Sequence, residues 1–269
     1  MSQELLSPDV SGSIPTPPNS SHGKGKSKGK LVQSILNFST SSQSKTCKVC
    51  GMSYYQHISK EVEIHKKYHT NFINGIIWPE SFTAKSLRSF VIPPKSKKHK
   101  TIQVQILTID KTNKRQTTKI EQLLELVNKE LNAPEDSKYW KDPLKESSKV
   151  FILKIEDRAV GICTTDEIED IQKQGRWMIH RTQTIVPNQV NNSIRLGISR
   201  IWIAPKWRRL GLANALLDIV LNHSIYGDIL KKYQIAFSQP SYSGGLLAKK
   251  FNGVIHKSGE LLVPVYLEL

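Results

Sequence analysis

The chain has 269 residues, 38% of them hydrophobic, and carries Lys+Arg 39 against Asp+Glu 23 for a formal net charge of +16. That length holds one ordinary domain with a small module and some tail, and the modest apolar share means that part of the sequence adds nothing to a core. The charge draws the chain to polyanions or acidic protein surfaces, or equally keeps a basic tail dissolved; the sequence lacks a secretory signal in Met1 to Val10, a run long enough to span a membrane, and the cysteines of a disulfide scaffold, so the expectation is a soluble intracellular protein.

In chain order, residues 1–44 are rich in Ser, Pro, Gly and Lys and are expected to form a disordered basic tail, because they cannot bury enough apolar surface to offset the entropy of ordering. One apolar island lies in it, Gln33-Ser-Ile-Leu-Asn-Phe38. It resembles a worn sliding-clamp motif without the paired aromatics and equally fits a chance island. Residues 45–78 form a compact unit, and 79–100 are expected as a linker. The linker's run Lys95-Ser-Lys-Lys-His-Lys100 fits a nuclear import signal and a solvated connector equally well.

From residue 101 to 269 the pattern becomes that of a globular domain. Ile102, Val104 and Ile106 alternate as on a half-buried strand, and Ile120, Leu123, Leu124, Val127 and Leu131 share one face of a helix from Thr118 to Leu131. Val150 to Ile155 and Ala159 to Thr165 read as a hairpin, Arg176 to Thr184 as a further strand, and Leu196 to Ile203 as a strand followed by a helix from Leu212 to Ile225. Gln234 to Phe237 and Leu261 to Leu267 complete the strands, with Ser238 to Gly245 as a loop. Cys163 reads as a small buried hydrophobe. Strands alternating with helices and no internal repeat give an α/β (α+β) fold, a mixed sheet flanked by helices.

Two constellations carry chemistry. Cys47-x2-Cys50, then His65-x3-His69 fourteen residues later, has the donor types and spacing of a structural zinc finger of ββα type, with the two imidazoles one helical turn apart. Metal binding of about 10 to 16 kcal/mol would hold together a unit too small to fold alone. A single finger covers only about 3 base pairs, so it is expected to serve in docking or intramolecular support, with any DNA affinity coming from the neighbouring lysines on the phosphate backbone. The second constellation is Arg208-Arg209-Leu210-Gly211-Leu212-Ala213 between a strand and a helix. Small residues, helix amide N–H groups and arginines at that turn suit a pyrophosphate.

This turn resembles the coenzyme A loop of GNAT acetyltransferases. The chain as a whole resembles the cohesion-establishment acetyltransferases, which modify the ATPase subunit of cohesin. Carrying that resemblance are Cys47-Lys-Val-Cys-Gly-Met-Ser-Tyr54, His65-Lys-Lys-Tyr-His-Thr70, Asn128-Lys-Glu-Leu-Asn-Ala-Pro134, Gly175-Arg-Trp-Met178, Gly197-Ile-Ser-Arg-Ile-Trp-Ile203, Ala236-Phe-Ser-Gln-Pro240 and His256-Lys-Ser-Gly259. It implies a nuclear protein lysine acetyltransferase of sister-chromatid cohesion that uses acetyl-CoA during DNA replication and carries structural zinc.

By the same resemblance, the backbones of Ile201, Trp202 and Ile203 pair with the pantetheine arm, and Arg208, Arg209, Leu210, Gly211, Leu212, Ala213 and Asn214 surround the pyrophosphate. Ser241, Tyr242 and Ser243 border the cofactor, and Ser199 lies near the reacting amine. Family members usually carry an aspartate after the Phe237 strand, but Gln239 and Tyr242 stand there in this chain. The base is then supplied by the substrate or by another carboxylate such as Asp228, or activity is low. The competing expectation is a zinc-finger chromatin adaptor with a catalytically weak or inactive GNAT domain.

Overall fold

The computed structural model of the chain describes residues 44–93, 101–134 and 139–268. The Gln33–Phe38 island and the Lys95–Lys100 run lie outside the described residues. Those that are described belong to one compact unit, and no helix among them is long and apolar enough to cross a membrane.

The amino-terminal module is a short hairpin, β1 (Lys45–Thr46) and β2 (Ser53–Tyr54), followed by helix α1 (Ser59–Asn74). It does not end as a separate body. Past α1 the chain turns into β3 (Ile76–Ile77), which pairs antiparallel with Ala159 and Arg158 of the central sheet. Arg158 Nη1 donates to Gly75 O at 2.6 Å, and Trp78, fully buried, donates its N–H to Asp157 O at 2.7 Å.

Strand β4 (Lys85–Ile92) lies inside the stretch expected as linker and pairs along its length with β5 (Ile102–Thr108). Its side chains are mostly exposed. The register shift between Ser86 and Arg88 puts Leu87 out of step with Phe90 and Ile92, so the apolar alternation by which a strand is recognised is broken.

Helix α2 (Lys114–Leu131) starts a turn before the expected Thr118, because the Asn113 side chain accepts from the N–H groups of Arg115 and Gln116. Its stripe of Ile120, Leu123, Leu124 and Val127 is buried in the main core with the side chains of the central strands. Strands β6 (Val150–Ile155) and β7 (Arg158–Glu167) form the expected hairpin, with Glu156 at φ 52 in its turn. After α3 (Ile171–Gln174), the single strand expected over Arg176 to Thr184 is two, β8 (Gly175–Ile179) and β9 (Thr184–Val190), folded back at Gln183, whose φ is 54.

The remaining elements are β10 (Leu196–Ile203), α4 (Leu212–His223), β11 (Ile235–Phe237), α5 (Tyr242–Asn252), β12 (Val254–Ile255) and β13 (Leu261–Tyr266). Eleven strands of the described residues share one sheet in the order β4-β5-β6-β7-β10-β11-β13-β8-β9, with β3 on β7 and β12 on β13. The β10·β11 and β11·β13 pairs are parallel and the others antiparallel, so the sheet is mixed, as expected. Cys163 sits fully buried on β7, and burial pushes its thiol pKa up, so it is an inert part of the core.

Candidate active site and metal centre

The site is built where two strands part. The parallel pairing of β10 with β11 covers only Leu196↔Ile235, Gly197↔Ala236 and Ile198↔Phe237, with one more bond from Ser238 N–H to Ile198 O at 2.9 Å. Strand β10 runs on for five more residues with β7 alone beside it. A groove of about 610 Å³ opens beside it, lined by Ser199, Ile201, Ser238, Ser241, Tyr266 and Glu268 among others.

Backbone alternation decides which groups face this opening. Ala204 N–H reaches Val160 O on β7 at 2.8 Å, and Trp202 pairs with Ile162. The backbone groups of Trp202 therefore face β7, and those of Ile201 and Ile203 point the other way, toward the gap. Trp202 was expected to pair with the cofactor through its backbone. Its place is instead in the core, 3% exposed, with its indole N–H donating to Glu130 of α2.

The switch in alternation has a cause. Between Ile198↔Thr165 and Arg200↔Thr164 the register slips by one, leaving Ser199 as the extra residue of a β-bulge. A bulge re-aims its side chain. Ser199 Oγ lies 2.8 Å from Thr164 Oγ1 and donates toward Asp166 Oδ1 at 3.2 Å. The second oxygen of Asp166 accepts from Tyr266 Oη at 2.7 Å. Burial, with the nearby Asp166 charge, holds the Tyr266 phenol well above its usual pKa, so it stays a donor. Gly197 makes this reach possible, because a Cβ there would lie 2.6 Å from the Tyr266 ring.

At the far end of β10 the chain enters the basic turn. Arg209 (φ 65) and Gly211 (φ 79) are both left-handed, and α4 begins at Gly211 with no side chain capping its first turn. Its leading N–H groups face a potential anion, where the helix dipole favours negative charge. Arg209 and Asn214 are exposed, Leu210 and Ala213 half-buried, and Leu212 is buried. Arg208 departs from expectation. Its guanidinium donates to Ile203 O at 2.7 Å and to Glu130 at 2.6 Å, tying the turn to β10 and α2.

Ser241, Tyr242 and Ser243 also differ from the loop expected there. Ser241 is the N-cap of α5 and accepts from Gly244 N–H at 3.3 Å, while Tyr242 and Ser243 form the first helical turn, exposed and outside the groove's lining. Asp228, one of the carboxylates considered as base, is paired with Arg195 ahead of β10 and does not line the groove.

In the metal centre, the donor atoms of Cys47, Cys50, His65 and His69 lie within 4.8 Å of one another. Backbone N–H groups of Cys50 and Val49, with the His65 ring, draw the Cys47 thiol down to about 6, whereas burial pushes Cys50 up. His65 stacks on Tyr54 at 4.1 Å, and its Nε2 is buried without a hydrogen-bond partner among the described residues. Two thiols and two imidazoles converging in this way fit a closed tetrahedral zinc site.

Residues 192–258 match the family described as ESCO1/2 acetyl-transferase, and residues 33–71 match the zinc-finger of acetyl-transferase ESCO. N-acetyltransferase ECO1 of Debaryomyces hansenii is 53% identical over 98% of this chain and 98% of its own length. The chain belongs to the ECO1 family of N-acetyltransferases. The Saccharomyces cerevisiae N-acetyltransferase ECO1 is 34% identical over 92% of this chain and 98% of its own. A solved structure of the xEco2 acetyltransferase domain bound to a K105-CoA conjugate covers 68% of this chain and 99% of that one, at 22% identity and TM-score 0.48.

Within this ECO1-family chain, sequence reasoning missed Asp166, Tyr266, Glu130 and Glu268. Asp166 and Tyr266 meet at Ser199 only because β13 joins the sheet beside β11 and two strands from β7's neighbour β10. No local signal marks them. Glu130 had one, since it lies within the Asn128 to Pro134 stretch already singled out.

Proposed function

We propose that the chain is a protein lysine N-acetyltransferase that takes the acetyl group from acetyl-CoA and places it on the ATPase subunit of cohesin, in the nucleus during DNA replication. The observation that carries this reading is the parting of β10 and β11, with the Ile201 and Ile203 backbones turned into the gap and an uncapped helix start just beyond. An extended pantetheine arm pairs with β10 as a missing strand would, through the Ile201 backbone and the Ile203 N–H, the Ile203 carbonyl being held by Arg208. The pyrophosphate lies at Arg209 and Gly211 to Asn214.

A lysine amine with pKa of about 10.4 must lose a proton before it attacks the thioester. Backbone N–H groups of β10 steady the oxyanion that forms. The Ser199 hydroxyl, held by Thr164 and Asp166, borders the groove and orients the amine. The zinc finger is structural. The basic tail engages DNA through its phosphates, and Gln33–Phe38 docks on the sliding clamp.

The test is transfer of labelled acetyl from acetyl-CoA to the purified cohesin ATPase head by this chain and by Gly211→Glu. Gly211 has φ 79 and open space around it, so the substituted side chain enters the anion position and strains the turn. Transfer that disappears in the variant is the expected result. Absence of transfer by the unaltered, zinc-loaded chain would favour an adaptor instead.

A further inference from the structure

We propose that Glu268 is the group that takes the proton from the substrate lysine, filling the role of the loop acid whose positions hold Gln239 and Tyr242 here. The inference rests on the acetyl-transfer reading above. Glu268 lines the same groove as Ser199 and Ile201, and its side chain is 32% exposed, so a substrate amine can approach it.

Its carboxylate is held, not dangling. Ser238 Oγ donates to it at 2.5 Å, and Arg200 Nη1 donates at 3.0 Å. The same Nη1 donates to Ser199 O at 2.7 Å, so one guanidinium nitrogen bridges Glu268 to the bulge. Arg200 is itself 4% exposed and fastened by Asn128 Oδ1 at 2.9 Å. Ser238 is the residue directly before Gln239. The carboxylate therefore sits against the loop where the acid is expected, delivered through space from thirty residues further on, just past the end of β13, rather than by the loop itself.

Asp166 is the other carboxylate beside Ser199, and its place is different. It is 7% exposed, receives hydroxyl donors on both oxygens, and does not line the groove, which makes it the anchor of Ser199.

In the step, the lysine arrives as an ammonium and gives one proton to Glu268, directly or through one water. The nitrogen lone pair then forms the C–N bond to the acetyl carbonyl. The tetrahedral oxyanion collapses as the C–S bond breaks, and the departing thiolate takes the second nitrogen proton. Glu268 returns its proton to solvent.

The experiment measures acetyl transfer to the cohesin ATPase head by the full chain, Glu268→Gln and Glu268→Asp, from neutral to alkaline pH. At neutral pH, Glu268→Gln should lower kcat by about 100-fold or more with KM for acetyl-CoA little changed. Its rate should then climb about tenfold per pH unit, because only amine already deprotonated in solvent reacts. Glu268→Asp should recover part of the loss. A Glu268→Gln profile parallel to that of the unaltered chain would overturn the assignment, since a residue that only positions does not change the pH slope. No transfer by the unaltered chain would overturn the acetyl-transfer reading itself and this one with it. Zinc content and acetyl-CoA affinity report whether Glu268→Gln is folded. If it is not, Ser238→Ala, which removes one of the carboxylate's two donors and leaves Arg200 in place, should lower kcat and leave the pH slope unchanged, and an unaltered kcat would overturn the proposal.

Discussion

At the scale of single residues, the site depends on hydroxyls aimed at one buried carboxylate. Tyr266→Phe deletes the donor to Asp166 Oδ2 while keeping the ring on Gly197. A buried carboxylate stripped of a donor costs about 1 to 3 kcal/mol, so the variant should unfold at lower urea concentration, with kcat also reduced as Ser199 loses its fixed partner. Gly197→Ala should weaken the same arrangement from the other side, because the added methyl displaces the Tyr266 ring; a crystal structure of the variant would show the Tyr266 to Asp166 bond lengthened or lost. The zinc ligands were legible in the sequence because their spacing is local: a thiol pair on a turn and two imidazoles at i, i+4 need nothing beyond the module. Ser199 was legible only by resemblance. Its partners Asp166 and Tyr266, and Glu268 across the groove, lie far off in the chain and are assembled by strand order, which no short window reveals.

At the scale of elements, the same contrast separates what was foreseen from what was not. Strand β10 was read with its full span because Leu196 to Ile203 is a dense apolar run bounded by Pro205. Helix α2 was read one turn short because Asn113, its cap, is also an ordinary turn residue. Helix α5 was missed because Gly244 and Gly245 argue against a helix, while the signal for one is the single serine ahead of them. Ser241→Ala removes that cap and should cost about 1 kcal/mol, read as fraying of Tyr242 to Leu246 by amide hydrogen exchange. Strand β4 was missed because its side chains are mostly exposed. Its backbone tells the opposite story, since Lys85 to Ile92 pairs with β5; alternate amides there should exchange slowly, and uniformly fast exchange would contradict the pairing.

At the scale of the molecule, the finger and the catalytic sheet are joined by more than a tether. Strand β3 pairs with β7, Trp78 is buried beside them, and Lys129 of α2 lies over the Tyr68 ring of α1 at 4.8 Å. Removing zinc by chelation should therefore move one cooperative melting transition downward instead of producing a separate transition for the finger, as scanning calorimetry would record. Each 1 kcal/mol lost corresponds to about 2 to 4 °C for a unit of this size.

The edge strand has a practical corollary. A fragment cut at residue 101, where the apolar alternation begins, would discard β4 and bare the flank of β5, with the buried Val104 and Ile106 along it. It would also strip β3 from the β6–β7 turn. Unpaired, hydrophobic flanks of this kind recruit one another between molecules. A truncated catalytic piece should self-associate at concentrations where a fragment starting before Cys47 stays monodisperse, so the natural unit for expression begins ahead of the finger.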